Sequence, residues 1–263
     1  MEKHQVRFND KNKITIVPAG DVHRGNPNCA WQKFIRFLQW AEKEKDLYVI
    51  LMGDLLDTIL ATDKRYDAGS KHIPLLEAIE QMYRVLKPLA DKGKILGMHI
   101  GNHEYKMVAS GVGNPIDDLC VRLNVKYLGY SALTRILVRR KESKTGSLTI
   151  FSHHGWFSGR KRGSKINNLE DLSMNWDADL YLVAHSHDLF SSKRIFTTFH
   201  GQKVRAFVST GAFLKTADWG TCSYSERAGY PPQKLGVARI EWEPFRTTRV
   251  ENGRQEGDIH ITT

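Results

Sequence analysis

Five short segments combine carboxylate, amide and imidazole groups: "GDVH" with Asp21 and His23, "GDLLD" with Asp54 and Asp57, "GNHE" with Asn102 and His103, "SHHG" with His153 and His154, and "AHSH" with His185 and His187. Each follows an apolar run and faces a polar stretch. Residues two apart on an extended segment point the same way, so several strand ends can deliver oxygen and nitrogen donors to one point. Singly, a Gly-Asp pair is commonly a turn and a lone histidine is usually a satisfied structural residue. Five in series, holding six of the eleven histidines, are not explained that way. Asp, Asn and His donors without cysteine suit divalent ions such as Mn, Fe, Zn or Ni.

The elements that must carry these segments are legible as periodicities. "ITIVPA" (residues 14 to 19), "LYVILMGD" (47 to 54) and "KILGMHIGNHE" read as buried strands that end in the polar motifs. Between them, Trp31, Phe34, Ile35, Leu38 and Ala41 follow helical spacing, as do Leu75, Ile79, Met82, Leu86 and Leu89. Pro88 weakens the end of the second helix, and Gly93 ends it. Strand, helix, strand, helix, strand implies parallel pairing. A third helix starts at Pro115 with Asn114 as its cap. After it the chain is strand-rich with little helix. The expectation is α/β in the first half and α+β in the second: two mixed β-sheets packed as a sandwich flanked by helices. One domain is expected over residues 1 to 263, with the segment 188 to 263 completing the sandwich.

Composition narrows the partners. The net charge is +10, from 39 Lys and Arg against 29 Asp and Glu, which favours polyanions. No run approaches the roughly 18 apolar residues that cross a bilayer, and the first 20 residues lack a signal-peptide core. No membrane association and a cytoplasmic location are expected. Cys29, Cys120 and Cys222 are far apart and odd in number, so neither a disulfide framework nor a thiolate site is indicated.

The ordered series D-x-H, G-D-x-x-D, G-N-H-E, a strand-end His and H-x-H, from residue 20 to residue 187, resembles the calcineurin-like metallophosphoesterases, a superfamily of dinuclear hydrolases. The resemblance implies two divalent cations, Mn in first place, with Fe, Zn, Ni or Mg as alternatives. Asp21, His23 and His187 would hold one, and Asn102, His185 and the strand-end histidine the other, with Asp54 bridging. Between His153 and His154 the family's placement immediately after the apolar run favours His153, and adjacency to Gly155 favours His154. His153 is taken as the ligand and His154 as a substrate contact or packing residue. His103 would donate a proton to the leaving oxygen, and Asp57 would orient it. Two departures stand out. Ala184 replaces a usual Gly, so its backbone must avoid positive φ or accept strain. Thr58 stands where protein phosphatases of the superfamily carry Arg-Gly, which disfavours a phosphoprotein substrate.

The site chemistry is common to mono- and diesterases, so the substrate must be argued from its surroundings. Three segments interleave cations with aromatics: residues 61 to 74, "GWFSGRKRGSKINN", and residues 214 to 234. Such a texture can track a phosphate backbone and stack bases. The leading expectation is a phosphodiesterase acting on nucleic acid, with Arg160, Lys161, Arg162 and Lys165 as contacts. The alternatives are a diesterase or phosphatase for small, including cyclic, nucleotides, a protein phosphatase, and a basic nucleic-acid-binding module without turnover.

Overall fold

A computed structural model describes residues 1–59, 72–140, 145–156, 159, 161–199, 201–217, 224–246 and 257–263. In chain order, β1 (Glu2–Asn9) and β2 (Ile14–Ala19) precede α1 (Trp31–Lys43), β3 (Leu47–Leu51), α2 (Leu75–Asp91) and β4 (Ile95–Met98). Two helices follow, α3 (Asn102–Ala109) and α4 (Pro115–Leu123), then the hairpin of β5 (Ser131–Arg139) and β6 (Thr145–His153). Next come α5 (Arg162–Asn175), β7 (Leu180–Val183), β8 (Leu189–Thr198) and β9 (Gly201–Thr210). A short α6 (Tyr224–Arg227), β10 (Arg239–Glu243) and β11 (Asp258–Thr262) finish the chain.

Two mixed sheets result, a six-stranded one in the order β1-β5-β6-β7-β9-β8 and a five-stranded one in the order β11-β10-β2-β3-β4. The strands β2, β3 and β4 pair in parallel, as the alternation with α1 and α2 requires. Their residues are almost all buried because both faces of that sheet are covered. One core lies between the sheets, where Ile14, Ile16, Ile50 and Met52 meet Leu148, Ile150, Leu180, Leu182 and Val208. On the outer face of the five-stranded sheet, Val17, Val49 and Leu51 pack under Phe34 and Leu38 of α1 and Met82 and Leu86 of α2. On the outer face of the other sheet, Phe151, Tyr181 and Phe207 pack under Leu169 and Leu172 of α5. Each such side chain contributes about 1.5–3 kcal/mol on burial, so the central layer alone fixes how the sheets face each other.

The sandwich flanked by helices matches the expected class. Asn114 caps α4 as expected, its side chain accepting from Ile116 N and Asp117 N. Three elements differ from expectation. β1 is a full strand whose exposure alternates along its length, paired in parallel with β5. Asn102 opens the helix α3 rather than ending a strand, because Glu104 at its third position accepts from Gly101 N at 2.9 Å. The basic stretch, in a half expected to hold little helix, is helical from Arg162 onward, with Lys165, Leu169 and Leu172 on its buried stripe. The C-terminal β11 pairs antiparallel with β10 at the edge of the five-stranded sheet.

Candidate metal centre

The polar motifs leave the strand ends on one side of the sandwich. Asp21 and His23 follow β2, Asp54 and Asp57 follow β3, and Asn102 and His103 open α3 just after β4. His154 follows β6, and His185 and His187 follow β7. These residues form three overlapping donor groups: Asp21, His23 and His187 to one side of Asp54, Asp54 with His154 and His185 to the other, and His23, Asp54 and His103 as the third. His23 Nε2 lies 3.4 Å from His187 Nε2 and 3.7 Å from Asp54 Oδ2. On the other side His154 Nε2 lies 3.4 Å from Asp54 Oδ2 and 3.0 Å from Asn102 Oδ1, and His185 Nδ1 is 2.8 Å from that same amide oxygen.

The choice between the paired histidines is corrected here. Leu148, Ile150, Ser152 and then His154 face the opposite sheet, whereas Phe151 and His153 face outward. Side chains alternate along a strand, so the fully buried His154 reaches the centre and His153 turns away from it. His154 Nδ1 lies 2.8 Å from Met52 O, a carbonyl of the facing sheet, which fixes the ring with Nε2 toward Asp54.

Local backbone shape shows how firmly the fold specifies this point. Among the described residues eight non-glycine positions have positive φ, and five of them are Asp21, His23, Asp54, His185 and His187. Such conformations cost on the order of 1 kcal/mol or more each and persist where the surroundings dictate them. Ala184 is not among them; the turn places the left-handed residues at its two histidines instead. Gly101 is required by contact: a Cβ there would stand 2.1 Å from Asp54 Oδ1. Gly53 has φ +89°, and a Cβ would stand 2.8 Å from His154 Nδ1.

Glu104 carries a role that the motif reading did not assign. Fully buried, its carboxylate accepts from Asp54 N, Leu56 N and Gly101 N at 2.9–3.1 Å, tying the turn after β3 to the start of α3. Burial and the neighbouring Asp54 push its carboxyl up to about 7. Its position three residues after Gly101 is the sequence signal that reveals it.

The electrostatics of the centre favour positive charge at the carboxylates. Burial alone would depress His154, but Asp54 and Asp21 outweigh it and lift this group to about 9. Burial likewise opposes ionisation of Asp54, yet His154 and His103 hold it well below its ordinary value. Asp21 is held down by His187 against the same opposition. Burial pushes His23 and His185 down, keeping them neutral as ligands must be. Asp21 Oδ1 is buried without a hydrogen-bond partner. An orphaned carboxylate oxygen facing two imidazole nitrogens 3.4 Å apart is what a divalent cation would satisfy, so the donor set fits the implied metals.

Beside the donors, His103 Nδ1 lies 3.0 Å from Asp57 Oδ1, and the His103 ring stands 4.5 Å from that of His23. Asn26 donates to Asp57 Oδ2 at 2.9 Å, and Thr58 donates to the His103 carbonyl. Burial would raise Asp57, but His103 and His23 hold its carboxyl well down.

The basic contacts expected from the sequence divide. Arg162 pairs with Asp188 at 3.1 Å, and the buried Lys165 lies 3.6 Å from the same carboxylate and 3.4 Å from Ser186 O. Both cations reach the turn carrying His185 and His187; Lys165 is buried against it, whereas the Arg162 side chain stays 61% exposed. Lys161 is exposed at the start of α5. Arg160 and Trp219, and residues 61–71 of the first basic segment, lie outside the described residues.

The family model for calcineurin-like phosphoesterases matches residues 14–189, which hold every donor described above. The chain belongs to the calcineurin-like phosphoesterase family. It is therefore a hydrolase acting on phosphate esters, and its family implies divalent metal ions. Solved structures similar to this phosphoesterase include a predicted phosphoesterase from Streptococcus pneumoniae TIGR4, 16% identical over 88% of this chain and 84% of that one, TM-score 0.36. Vps29 from Chaetomium thermophilum is 14% identical over 95% and 97%, TM-score 0.38. The Haemophilus influenzae NAD nucleotidase is 12% identical over 95% of this chain and 49% of its own, TM-score 0.42. None of the curated proteins matches the chain. No described helix is long and apolar enough to cross a membrane.

Proposed function

We propose that this phosphoesterase cleaves phosphodiester bonds in nucleic acid. The observation that carries the chemistry is the pair of donor groups on either side of Asp54, with the His103–Asp57 pair 3.0 Å apart at their edge. Asp21, His23 and His187 would hold one cation and Asn102, His154 and His185 the other, with Asp54 shared between them. When bound, such ions supply Lewis-acid activation of water and of the phosphoryl group, Mn being the first candidate. His103 acts through Nε2, since Nδ1 is engaged by Asp57, and delivers a proton to the leaving oxygen. Asp57 holds that tautomer and balances the charge of the protonated ring.

A polyanionic substrate is supported by the net charge of +10. The test is a panel of mono- and diesters, cyclic nucleotides, DNA and RNA, with Mn and without it. Manganese-dependent cleavage of DNA or RNA, weakening as salt rises, is expected. Hydrolysis of bis-p-nitrophenyl phosphate with DNA and RNA left intact would sink the nucleic-acid reading and leave the phosphoesterase standing.

A further inference from the structure

The histidine that turns away from the centre stands in a row of flat rings. His153 meets Tyr130 at 5.2 Å between ring centroids and Trp156 at 4.8 Å, both close to edge-on-face. Tyr130 in turn stands 5.5 Å from the donor His154 and 6.2 Å from Tyr105 of α3. The row therefore starts against a donor of the centre and reaches solvent at two places, Trp156 and Tyr105, which are 55% and 52% exposed. All these residues belong to the edge that carries the centre: Ser131, next to Tyr130, pairs with His153 in the β5–β6 register.

The row is held in place by more than packing. Tyr130 Oη donates to Gly155 O at 3.1 Å, and Gly155 N donates to His153 Nδ1 at 2.7 Å. Tyr130 and His153 are thereby fixed relative to the turn that follows β6. The two ends of the row stay about half in water, so part of each ring is open to a planar group. Their neighbourhood says what such a group would be. A group resting on this row lies within reach of a phosphate held at His154, and each phosphate of a nucleic-acid strand has a planar base on either side. Every base offers a π-face, so such a platform serves any sequence.

We infer that Tyr130, His153 and Trp156 form a nucleobase-stacking subsite beside the scissile phosphate, with Tyr105 at its far end. The inference rests on the phosphodiesterase reading and names the substrate feature that the site grips. A phosphate ester without a planar group gains nothing from the row.

The test compares two diesters with the same leaving group, thymidine 5′-(p-nitrophenyl phosphate) and methyl p-nitrophenyl phosphate. The ratio of their kcat/KM values should fall about tenfold in Trp156→Ala, through KM, and recover in Trp156→Phe. In a second arm, fluorescence anisotropy in EDTA measures affinity for a labelled oligothymidylate and for its abasic counterpart of equal charge. The wild type should favour the base-bearing strand about tenfold and Trp156→Ala should not. An unchanged ester ratio together with an unchanged strand preference overturns the subsite, and the binding arm decides if neither ester turns over. Loss of the ester ratio in a protein that leaves DNA and RNA uncut supports the subsite and removes the nuclease reading. Cleavage of nucleic acid that is indifferent to Trp156→Ala in both arms does the reverse.

Discussion

The two sheets contribute unlike halves to the centre. From the five-stranded sheet come both central carboxylates, the amide of Asn102 and the His103–Asp57 pair, nearly all buried. Backbone bonds hold this half: Asp21 N donates to Gly53 O at 3.0 Å, Val22 N to Asp54 O at 2.8 Å, and Glu104 gathers three further amides. From the six-stranded sheet come only imidazoles, and His185 and His187 are partly open to solvent. That half is set in place against the first, by His154 Nδ1 beside Met52 O, by His185 N donating to Asp21 Oδ2 at 2.9 Å, and from outside by Arg162 and Lys165 on Asp188. The acidic half thus fixes the position and charge of the centre, and the imidazole half is registered onto it.

If that division holds, removing the charge of Asp54 should be the most damaging change, because in the proposed centre it would serve both cations. Asp54→Asn is expected to lower cation affinity by more than about 100-fold, beyond the usual effect of losing a partner behind a ligand, as read by metal content after dialysis. Retention of both metals would contradict the shared role. His103→Asn acts within the same half but behind the donors. Turnover should fall by about 10²–10⁴-fold with metal content unchanged, and loss of both metals would refute its assignment as proton donor.

Smaller effects sharpen the contrast. Glu104→Gln keeps the volume but sets an amide N–H against backbone N–H groups in a dry site. Urea denaturation should show about 1–3 kcal/mol of lost stability. The pH dependence tests the join between the halves. His99, following β4, lies 2.8 Å from Ser152 Oγ of β6 and 3.0 Å from Gly129 O, and burial pushes it down to about 3. As pH falls below 6.5, the unfolded chain takes up a proton that the native ring refuses. Stability should therefore drop by up to about 1.4 kcal/mol per pH unit between 6.5 and about 3, and His99→Gln should flatten that slope. Least of all, Arg162→Ala on the outer brace should cost less than about 1 kcal/mol, since the Arg162 side chain is 61% exposed and Lys165 remains on Asp188.

What could be read from the sequence cuts across that division. The donors after β2, β3 and β7 were legible because apolar runs stop abruptly at polar motifs and the strands are too short for ambiguity. The two histidines after β6 were not, although alternation correctly separates them. Deciding which one points inward requires knowing that Leu148 and Ile150, rather than Thr149 and Phe151, face the other sheet. α5 was hidden by its charges: Lys165 occupies a position on the buried stripe, and its partner Asp188 is distant in sequence. β1 was missed because Val6 and Phe8 give only two apolar residues to an otherwise polar alternation.

Because each of the two donor groups astride Asp54 draws on both sheets, cation binding and sheet docking are linked equilibria. Linkage is reciprocal, so whatever loosens the interface between the sheets must weaken cation binding by the factor that the cation strengthens docking. A cavity opened at Leu148 or Leu182, remote in sequence from the carboxylates, would then surface first as a greater demand for metal in the medium, and only later as a lower melting temperature.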